Sequence, residues 1–171
     1  MFHRNGLQPK DVVFDTQMYF LSNRYKATLE SLDYDGLIIK DRSDYEDICF
    51  PYGQIMNKKE EMWSPMQLDI YIYFFESYLK TLPKPKFWIY FKVSPETAFK
   101  SLQERIKQRE SQGLDTQGEK LIDEEYMKNL AMVYEEWAMK MKETFGDRFI
   151  IIDYDTFKPF EEILQIIEKN L

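Results

Sequence analysis

The sequence predicts an α/β protein with a mostly parallel sheet that helices cover on both faces. Three short apolar runs are predicted to form buried strands: residues 36–40, 87–93 and 149–152. Between these runs, apolar residues recur at steps of three and four, which is the spacing of an amphipathic helix. Strands that alternate with helices are typical of parallel sheets joined by helical crossovers.

The first predicted helix runs from Asp11 to about Leu32. Its apolar positions are Phe14, Met18, Leu21, Tyr25, Leu29 and Leu32. Gln17 and Arg24 are seven residues apart, which is two turns, so they share one strip of this helix. A turn at residues 33–36 leads to the first strand, and a short helix then extends to about Met56.

The next helix begins at the N-cap Ser64, with Pro65 at the first helical position, and continues to about Leu82. It is apolar on nearly every side. We expect such a helix either to be buried all round or to lie in a subunit interface. Prolines at 83 and 85 end it before the strand at 87–93, whose near-continuous apolar sequence indicates cover on both faces.

The remaining elements follow the same alternation. Ser94-Pro95 begins a helix that carries Arg105 and Arg109 one turn apart. Residues 111–118 are polar, contain two glycines and are predicted to form a mobile loop. An amphipathic helix from Asp123, the strand at 149–152 and a last amphipathic helix from about Pro159 complete the chain.

Length and composition restrict the class of protein. A chain of 171 residues with 44% hydrophobic and 31% charged residues predicts one globular domain over 1–171. The net charge of −7 argues against non-specific binding to nucleic acid or to a membrane surface. One cysteine, Cys49, and one histidine, His3, exclude a disulfide within the chain and leave too few ligands for zinc. With no signal peptide and no apolar run of membrane-spanning length, we expect a cytoplasmic protein.

A polar stretch, Lys40–Asp47, follows the first predicted strand directly. At the carboxyl end of a parallel strand, Asp41, Arg42 and Ser43 would point into the crevice where ligands bind in such sheets. The alternative is structural: Asp41 or Ser43 caps the next helix, and Arg42 pairs with a surface acid.

Four motifs occur in a fixed order along the chain. They are Gln17–Leu21 with Arg24, Asp41-Arg42-Ser43 with Asp47, Arg105–Arg109, and Glu119, Ile122 and Tyr126 leading to Tyr134–Trp137. In order and spacing this set resembles the deoxynucleoside kinases, which transfer the terminal phosphoryl group of ATP to the 5′-hydroxyl of a deoxynucleoside. The resemblance covers essentially the whole chain and implies a P-loop-kinase-like fold of three layers, with a lid at about residues 105–122.

The resemblance also implies site residues. Gln17 would hold the base, because a carboxamide donates and accepts together, and Arg24 and Asp47 would complete the base contacts. Glu119 would accept a hydrogen bond from the sugar 3′-hydroxyl. The phosphoryl-side residues would be Arg42, Asp41 near Mg²⁺, and the lid residues Arg105 and Arg109, whose guanidinium groups neutralise the transferring phosphoryl group.

Structural alternatives exist for these residues too. A glutamine on a helix is usually solvated. Two arginines one turn apart in an acidic protein usually pair with a glutamate, such as Glu104.

The sequence departs from the family pattern in its phosphate-binding elements. None of the six glycines lies in the glycine-rich loop that ends in Gly-Lys-Ser or Gly-Lys-Thr. The family's first two strands, its first helix and its general-base glutamate have no counterpart here. In the lid, Arg109-Glu110-Ser111 replaces Arg-Gly-Arg, and Pro51, with Phe50 before it, replaces a phenylalanine that stacks on the base.

Without the family's central strand, the strands at 36–40 and 87–93 would have unpaired edges. They could pair directly in a three-stranded sheet, another polypeptide or subunit could supply the strand, or these residues could be part of a longer product.

We therefore expect an ATP- and Mg²⁺-dependent deoxynucleoside kinase that needs a phosphate-binding segment absent from these residues. Its partners would be a deoxynucleoside, a nucleotide and a second copy bound through the helix 64–82, and neither nucleic acid nor a membrane. One alternative is a catalytically inactive nucleoside- or nucleotide-binding protein, and another is a structural subunit that dimerises through that helix.

Overall fold

The computed structural model describes residues 9–57, 62–156 and 158–170. These form two compact units, Met1–Lys84 and Pro85–Leu171. The first unit is helical within its described part, and the second contains a small parallel sheet with helices packed against it. The α/β class predicted from the sequence is confirmed.

Within residues 9–57 and 62–84, the first unit has three α-helices, and a short 3-10 turn precedes the second of them. The helices are α1 (Pro9–Ser31), α2 (Cys49–Met56) and α3 (Pro65–Thr81), and the 3-10 turn is Asp44–Glu46. The predicted start of α3 is confirmed, because the Ser64 hydroxyl accepts a hydrogen bond from the Gln67 backbone N–H. The Gln67 side chain accepts one from the Ser64 N–H in return.

The core of the first unit lies between α1 and α3. Its buried side chains are Leu21, Trp63, Tyr71 and Phe75. The Trp63 ring meets the Phe14 and Tyr71 rings edge to face, with centroids 6.1 Å and 5.6 Å away. The Trp63 indole N–H donates a hydrogen bond to Gln54 Oε1 at 2.9 Å, so the polar atom of this buried ring has a partner. These contacts fix α1 against α3 and thereby position the site residues that α1 carries.

The strand predicted at residues 36–40 is not formed. This segment lies outside the helices and strands, and its apolar side chains are exposed, with Leu37 at 83% and Ile39 at 86%. A strand needs a neighbour to satisfy its backbone groups. No strand lies within the described residues of the first unit, so the backbone of this segment has no ladder to join.

The helix α3 is not buried all round. Tyr71 and Phe75 face the core, whereas Met66 and Tyr73 are about 70% exposed, at 72% and 69%. Complete burial, the first of the two expectations for this helix, is therefore wrong within the described chain. The face opposite the core presents apolar side chains to solvent.

The second unit contains both strands of the described chain. Its elements are β1 (Trp88–Lys92), α4 (Pro95–Ser111), α5 (Gln117–Lys120), α6 (Glu124–Phe145), β2 (Phe149–Asp153) and α7 (Phe160–Asn170). The strands pair in parallel, from Trp88 opposite Phe149 to Lys92 opposite Asp153. The crossover between them contains α4, α5 and α6. The helices α4 and α6 were predicted, whereas α5 begins inside the segment predicted to be a loop.

The expectation of cover on both faces is wrong for β1, because several of its side chains are exposed in the described structure. The α6 side chain Trp137 packs edge to face on Phe149, with ring centroids 5.5 Å apart. Ile89 and Phe91 of β1 are 40% and 43% exposed. A three-stranded sheet that includes residues 36–40 does not occur among the described residues.

Of the helices in the described ranges, none is both long enough and apolar enough to cross a membrane.

Candidate functional site

Arg24 and Asp47 form an ion pair in the first unit. Arg24 lies on α1, and Asp47 follows the 3-10 turn directly. Asp47 is 2% exposed, and its Oδ2 atom has no hydrogen bond among the described residues. The Tyr71 hydroxyl fixes this position by donating to the Asp47 backbone carbonyl at 3.2 Å. Burial in turn raises the pKa of the Tyr71 hydroxyl. The structure thus joins two of the residues that the sequence proposed for the base.

Gln17 lies on α1 two turns before Arg24 and is partly exposed. Among the described residues no hydrogen bond engages its carboxamide. A carboxamide can both donate and accept hydrogen bonds.

The Asp41-Arg42-Ser43 stretch forms a strained turn. Arg42 has a φ of 69°, the left-handed region that favours glycine. Ser43 caps the 3-10 turn, since its hydroxyl accepts from the Tyr45 backbone N–H at 3.1 Å. The structural alternative for Ser43, a helix cap, is therefore confirmed for this short turn.

The Arg42 guanidinium group lies between an acid and an aromatic ring. Its Nη1 atom is 3.6 Å from Glu46 Oε1, and its Cζ atom is 4.8 Å from the centre of the Phe50 ring. A guanidinium over an aromatic face at this distance is a cation–π contact. Arg42 thus pairs with an acid, as the structural alternative stated, but the acid is mostly buried and not at the surface.

Glu46 is the residue that the sequence reasoning missed in this unit. Its side chain is 15% exposed, and burial raises the pKa of its carboxyl group, while Arg42 and Arg24 lower it and Asp41 raises it further. The only sequence signal was its position four residues after Arg42, a spacing at which ion pairs form on one helical turn.

A second missed cluster anchors the turn to α1. Lys40 contacts the Thr28 hydroxyl and lies 2.6 Å from Asp44 Oδ2, and Thr28 also donates to Asp44 at 3.0 Å. These three side chains connect the end of the exposed apolar segment to α1. They hold the Asp41–Ser43 turn near the Arg24–Asp47 pair.

In the second unit, Arg105 and Arg109 of α4 both face Glu119 of α5. Arg105 Nε is 3.1 Å from Glu119 Oε1, and Arg109 Nε is 3.4 Å from Oε2. The second contact lacks hydrogen-bond geometry, so both of its atoms are buried without a hydrogen bond in the described structure. The arginines pair with a glutamate, as the structural alternative stated, but with Glu119 instead of Glu104.

Local contacts occur throughout the segment 111–118, which was predicted to be a mobile loop. The helix α4 continues to Ser111, and Leu114 N–H donates to the Arg109 carbonyl at 3.0 Å. Thr116 is buried and donates to Glu110, which also contacts Lys120. Local hydrogen bonds and an ion pair therefore hold the segment that the glycines suggested would be free.

The magnesium expectation rests on Asp41 alone. Among the described residues no three His, Cys, Asp or Glu side chains lie close enough together to hold a metal ion. Asp41 is exposed. One exposed carboxylate fits only a Mg²⁺ ion that arrives with nucleotide phosphates, since such ions bind proteins through one or two carboxylates.

Comparison with known proteins agrees with the sequence pattern. Residues 1–169 match the family model described as deoxynucleoside kinase. A deoxyguanosine kinase of Lactobacillus johnsonii is 30% identical over 145 residues, which are 82% of this chain and 59% of that protein. A deoxyguanosine kinase of Bacillus subtilis is 28% identical over 138 residues, 78% of this chain and 58% of that protein.

A deoxyadenosine kinase of Dictyostelium discoideum is 28% identical over 160 residues, which are 94% of this chain and 60% of that protein. The chain thus spans somewhat less than two thirds of the length of these three relatives.

Proposed function

We propose that this chain, which belongs to the deoxynucleoside kinase family, phosphorylates the 5′-hydroxyl of a deoxynucleoside with ATP. Three relatives carry the names deoxyguanosine kinase or deoxyadenosine kinase. The reaction would require a phosphate-binding segment, because these 171 residues contain no Gly-Lys-Ser or Gly-Lys-Thr. The proposed place of action is the cytoplasm.

The observation that carries the proposal is the buried, incompletely bonded carboxylate of Asp47. A buried polar atom without a partner is costly in a purely structural ion pair, and such atoms are rare in native proteins. The free Oδ2 atom of Asp47 can accept a hydrogen bond from a base amino or ring N–H group. Gln17 and Arg24, on the same strip of α1, add a carboxamide and a guanidinium for the rest of the base edge.

Glu119, Arg105 and Arg109 are the residues proposed for the sugar and the phosphates. Glu119 would accept from the 3′-hydroxyl, and Arg105 and Arg109 would neutralise charge that develops on the phosphoryl oxygens. In the structure these groups neutralise one another at 3.1 Å and 3.4 Å. Ligand binding would therefore exchange Glu119 for phosphate at the two guanidinium groups.

Arg42 would contact the transferring phosphoryl group, and Asp41 would be the single protein carboxylate near a nucleotide-bound Mg²⁺. The metal would supply charge neutralisation on the phosphates when it is bound. Arg42 has five N–H donors, and its side chain is 47% exposed although it pairs with Glu46, so donors can reach phosphate oxygens.

The test is a turnover assay with ATP, Mg²⁺ and each of the four deoxynucleosides. We expect a 5′-monophosphate from at least one, either from the chain alone or with the part of the Lactobacillus johnsonii relative that the match leaves uncovered. Arg42→Ala should lower kcat by about 100-fold to 1000-fold, and Lys26→Ala, an exposed cation on α1, should not. No turnover under either condition would refute catalysis by this chain.

A second candidate is a nucleoside- or nucleotide-binding protein without catalysis. The observation that favours it is the sequence itself, whose glycines form no phosphate loop. Calorimetry separates the two candidates: deoxynucleoside binding that depends on Asp47, together with no turnover, would favour the binding protein.

We also propose a homodimer through the exposed face of α3. Met66, Ile70, Tyr73 and Phe74 are apolar and exposed on this helix. Sedimentation should show a dimer for the wild type and a monomer for Tyr73→Glu. Tyr19→Glu is the matched control, because Tyr19 is equally exposed at 66% but lies on α1. A monomeric wild type would remove the dimer, and with it the third candidate, a structural subunit that dimerises through this helix.

A further inference from the structure

The conformation of Arg42 needs an explanation. It is the one residue other than glycine with a positive φ among the described residues. The left-handed region is disfavoured for a side chain that carries a Cβ atom, and a glycine would occupy it freely. Residues held in such conformations cluster at sites where the surrounding structure fixes them for function. The question is which contacts fix Arg42.

Glu46 is placed to hold the Arg42 side chain. The 3-10 turn brings Glu46 back toward Arg42, because the Glu46 backbone N–H donates to the Ser43 carbonyl at 3.3 Å and Ser43 caps the same turn. The Glu46 carboxylate then lies 3.6 Å from the guanidinium, whose plane also meets the Phe50 ring. The cation is thus held from two sides, while 47% of its side chain remains exposed.

The burial of Glu46 is unusual for an acid with this role. Charged carboxylates are seldom buried unless they are paired, since burial costs solvation energy. Burial raises the pKa of Glu46, the cations Arg42 and Arg24 lower it, and Asp41 raises it. Both guanidinium groups thus favour the charged form of Glu46, against the cost of its burial. A glutamate at the surface would keep its hydration, so it would lower the stability of the fold less than a buried one does.

We propose that Glu46 is a positioning residue that holds the Arg42 guanidinium over Phe50, so that its exposed N–H groups face the phosphoryl group. The proposal deepens the proposed function and rests on it. Glu46 does not touch the substrate in this arrangement; it acts through Arg42. Nη1 of Arg42 lies 3.6 Å from Glu46 Oε1, and 47% of the Arg42 side chain is exposed, so N–H groups of the guanidinium can reach a ligand.

The first test compares Glu46→Gln with Glu30→Gln. Glu30 pairs with Lys26 at the same i to i+4 spacing and the same 3.6 Å, but both side chains are exposed. Because misplaced catalytic groups cost up to about 100-fold, we expect Glu46→Gln to lower kcat by about 10-fold to 100-fold with KM for the deoxynucleoside changed less than about threefold. Glu30→Gln should leave both constants unchanged. An unchanged kcat, or a loss confined to KM, would overturn the proposal.

The second test does not require turnover. The Nε–H resonance of Arg42, identified by its loss in Arg42→Lys, should be resolved in the wild-type NMR spectrum because the guanidinium is held. It should move or broaden in Glu46→Gln and stay in place in Glu30→Gln. If the wild type has no activity, the proposed function fails while this spectrum still decides whether Glu46 holds Arg42. An identical Arg42 resonance in the wild type and Glu46→Gln refutes the positioning role.

Discussion

Arg109 Nε lies 3.4 Å from Glu119 Oε2, yet neither atom forms a hydrogen bond in the described structure. The two side chains attract each other by charge, without a hydrogen bond between these two atoms. Arg105 contacts the other oxygen of the same carboxylate at 3.1 Å. One glutamate thus neutralises both cations proposed to bind phosphate, so an incoming phosphate must compete with it.

Removing that competitor should strengthen anion binding. We expect Glu119→Gln to bind inorganic tripolyphosphate roughly threefold to tenfold more tightly, since each of two partly exposed pairs is worth about 0.2–1 kcal/mol. Its deoxynucleoside affinity should fall, because the proposed acceptor for the 3′-hydroxyl has lost its charge. Calorimetry measures both. Glu110→Gln is the control, because Glu110 contacts Lys120 and not the two arginines. Equal tripolyphosphate affinity in the wild type and Glu119→Gln would show that Glu119 does not compete.

The backbone strain at Arg42 should appear in stability. Arg42→Gly and Arg42→Ala both remove the guanidinium, so the difference between them reports the backbone alone. With a φ of 69°, the glycine variant should have the higher free energy of unfolding by about 1 kcal/mol. Urea denaturation followed by tryptophan fluorescence measures this difference. An alanine variant as stable as the glycine variant would mean that residue 42 is not left-handed in solution.

Removing one partner of the Arg24–Asp47 pair should destabilise the fold strongly, whereas replacing both partners with leucine should not. Asp47→Ala leaves the Arg24 cation without its partner and should lower the free energy of unfolding by about 3–5 kcal/mol. The double variant Arg24→Leu/Asp47→Leu should return to within about 1 kcal/mol of the wild type. Both should lose deoxynucleoside binding in calorimetry. Retained binding in the double variant would remove this pair from the substrate site.

The raised pKa of Glu46 predicts a pH dependence of stability. Because the folded state binds this proton more tightly than the unfolded state, the group favours folding below its ordinary value of 4.5 and loses that contribution as pH rises through the folded pKa. The free energy of unfolding of the wild type should therefore rise relative to that of Glu46→Gln as the pH falls from the raised folded pKa of Glu46 toward 4.5. A difference between the two proteins that is constant with pH would contradict burial of this carboxylate.

The helices could be predicted from the sequence because each carries its own signal. The apolar spacing of α1 and α6 and the cap at Ser64 are local, and the structure confirms all three. The segment at 36–40 carried an equally clear strand signal, but a strand depends on a neighbour that local pattern does not specify. Its apolar residues lie exposed for that reason.

Some contacts within the candidate site could be predicted from the sequence. Arg24 and Asp47 were both proposed for the base, and the structure joins them. The burial of Glu46 could not be predicted, since an acid within Asp44–Asp47 looks like a solvated residue in sequence. The engagement of Glu119 by Arg105 and Arg109 could not be predicted either, because it depends on how the segment between α4 and α5 turns back.

Transfer of a labelled γ-phosphoryl group from ATP to a deoxynucleoside tests the central claim most directly. The folded chain, with Mg²⁺ and with the uncovered part of the Lactobacillus johnsonii relative supplied or omitted, is incubated with each deoxynucleoside, and the product is separated and identified. The prediction is label on the 5′-oxygen of at least one deoxynucleoside, greatly reduced in Arg42→Ala. No labelled 5′-monophosphate under any of these conditions, from a chain that binds the deoxynucleoside, would contradict it.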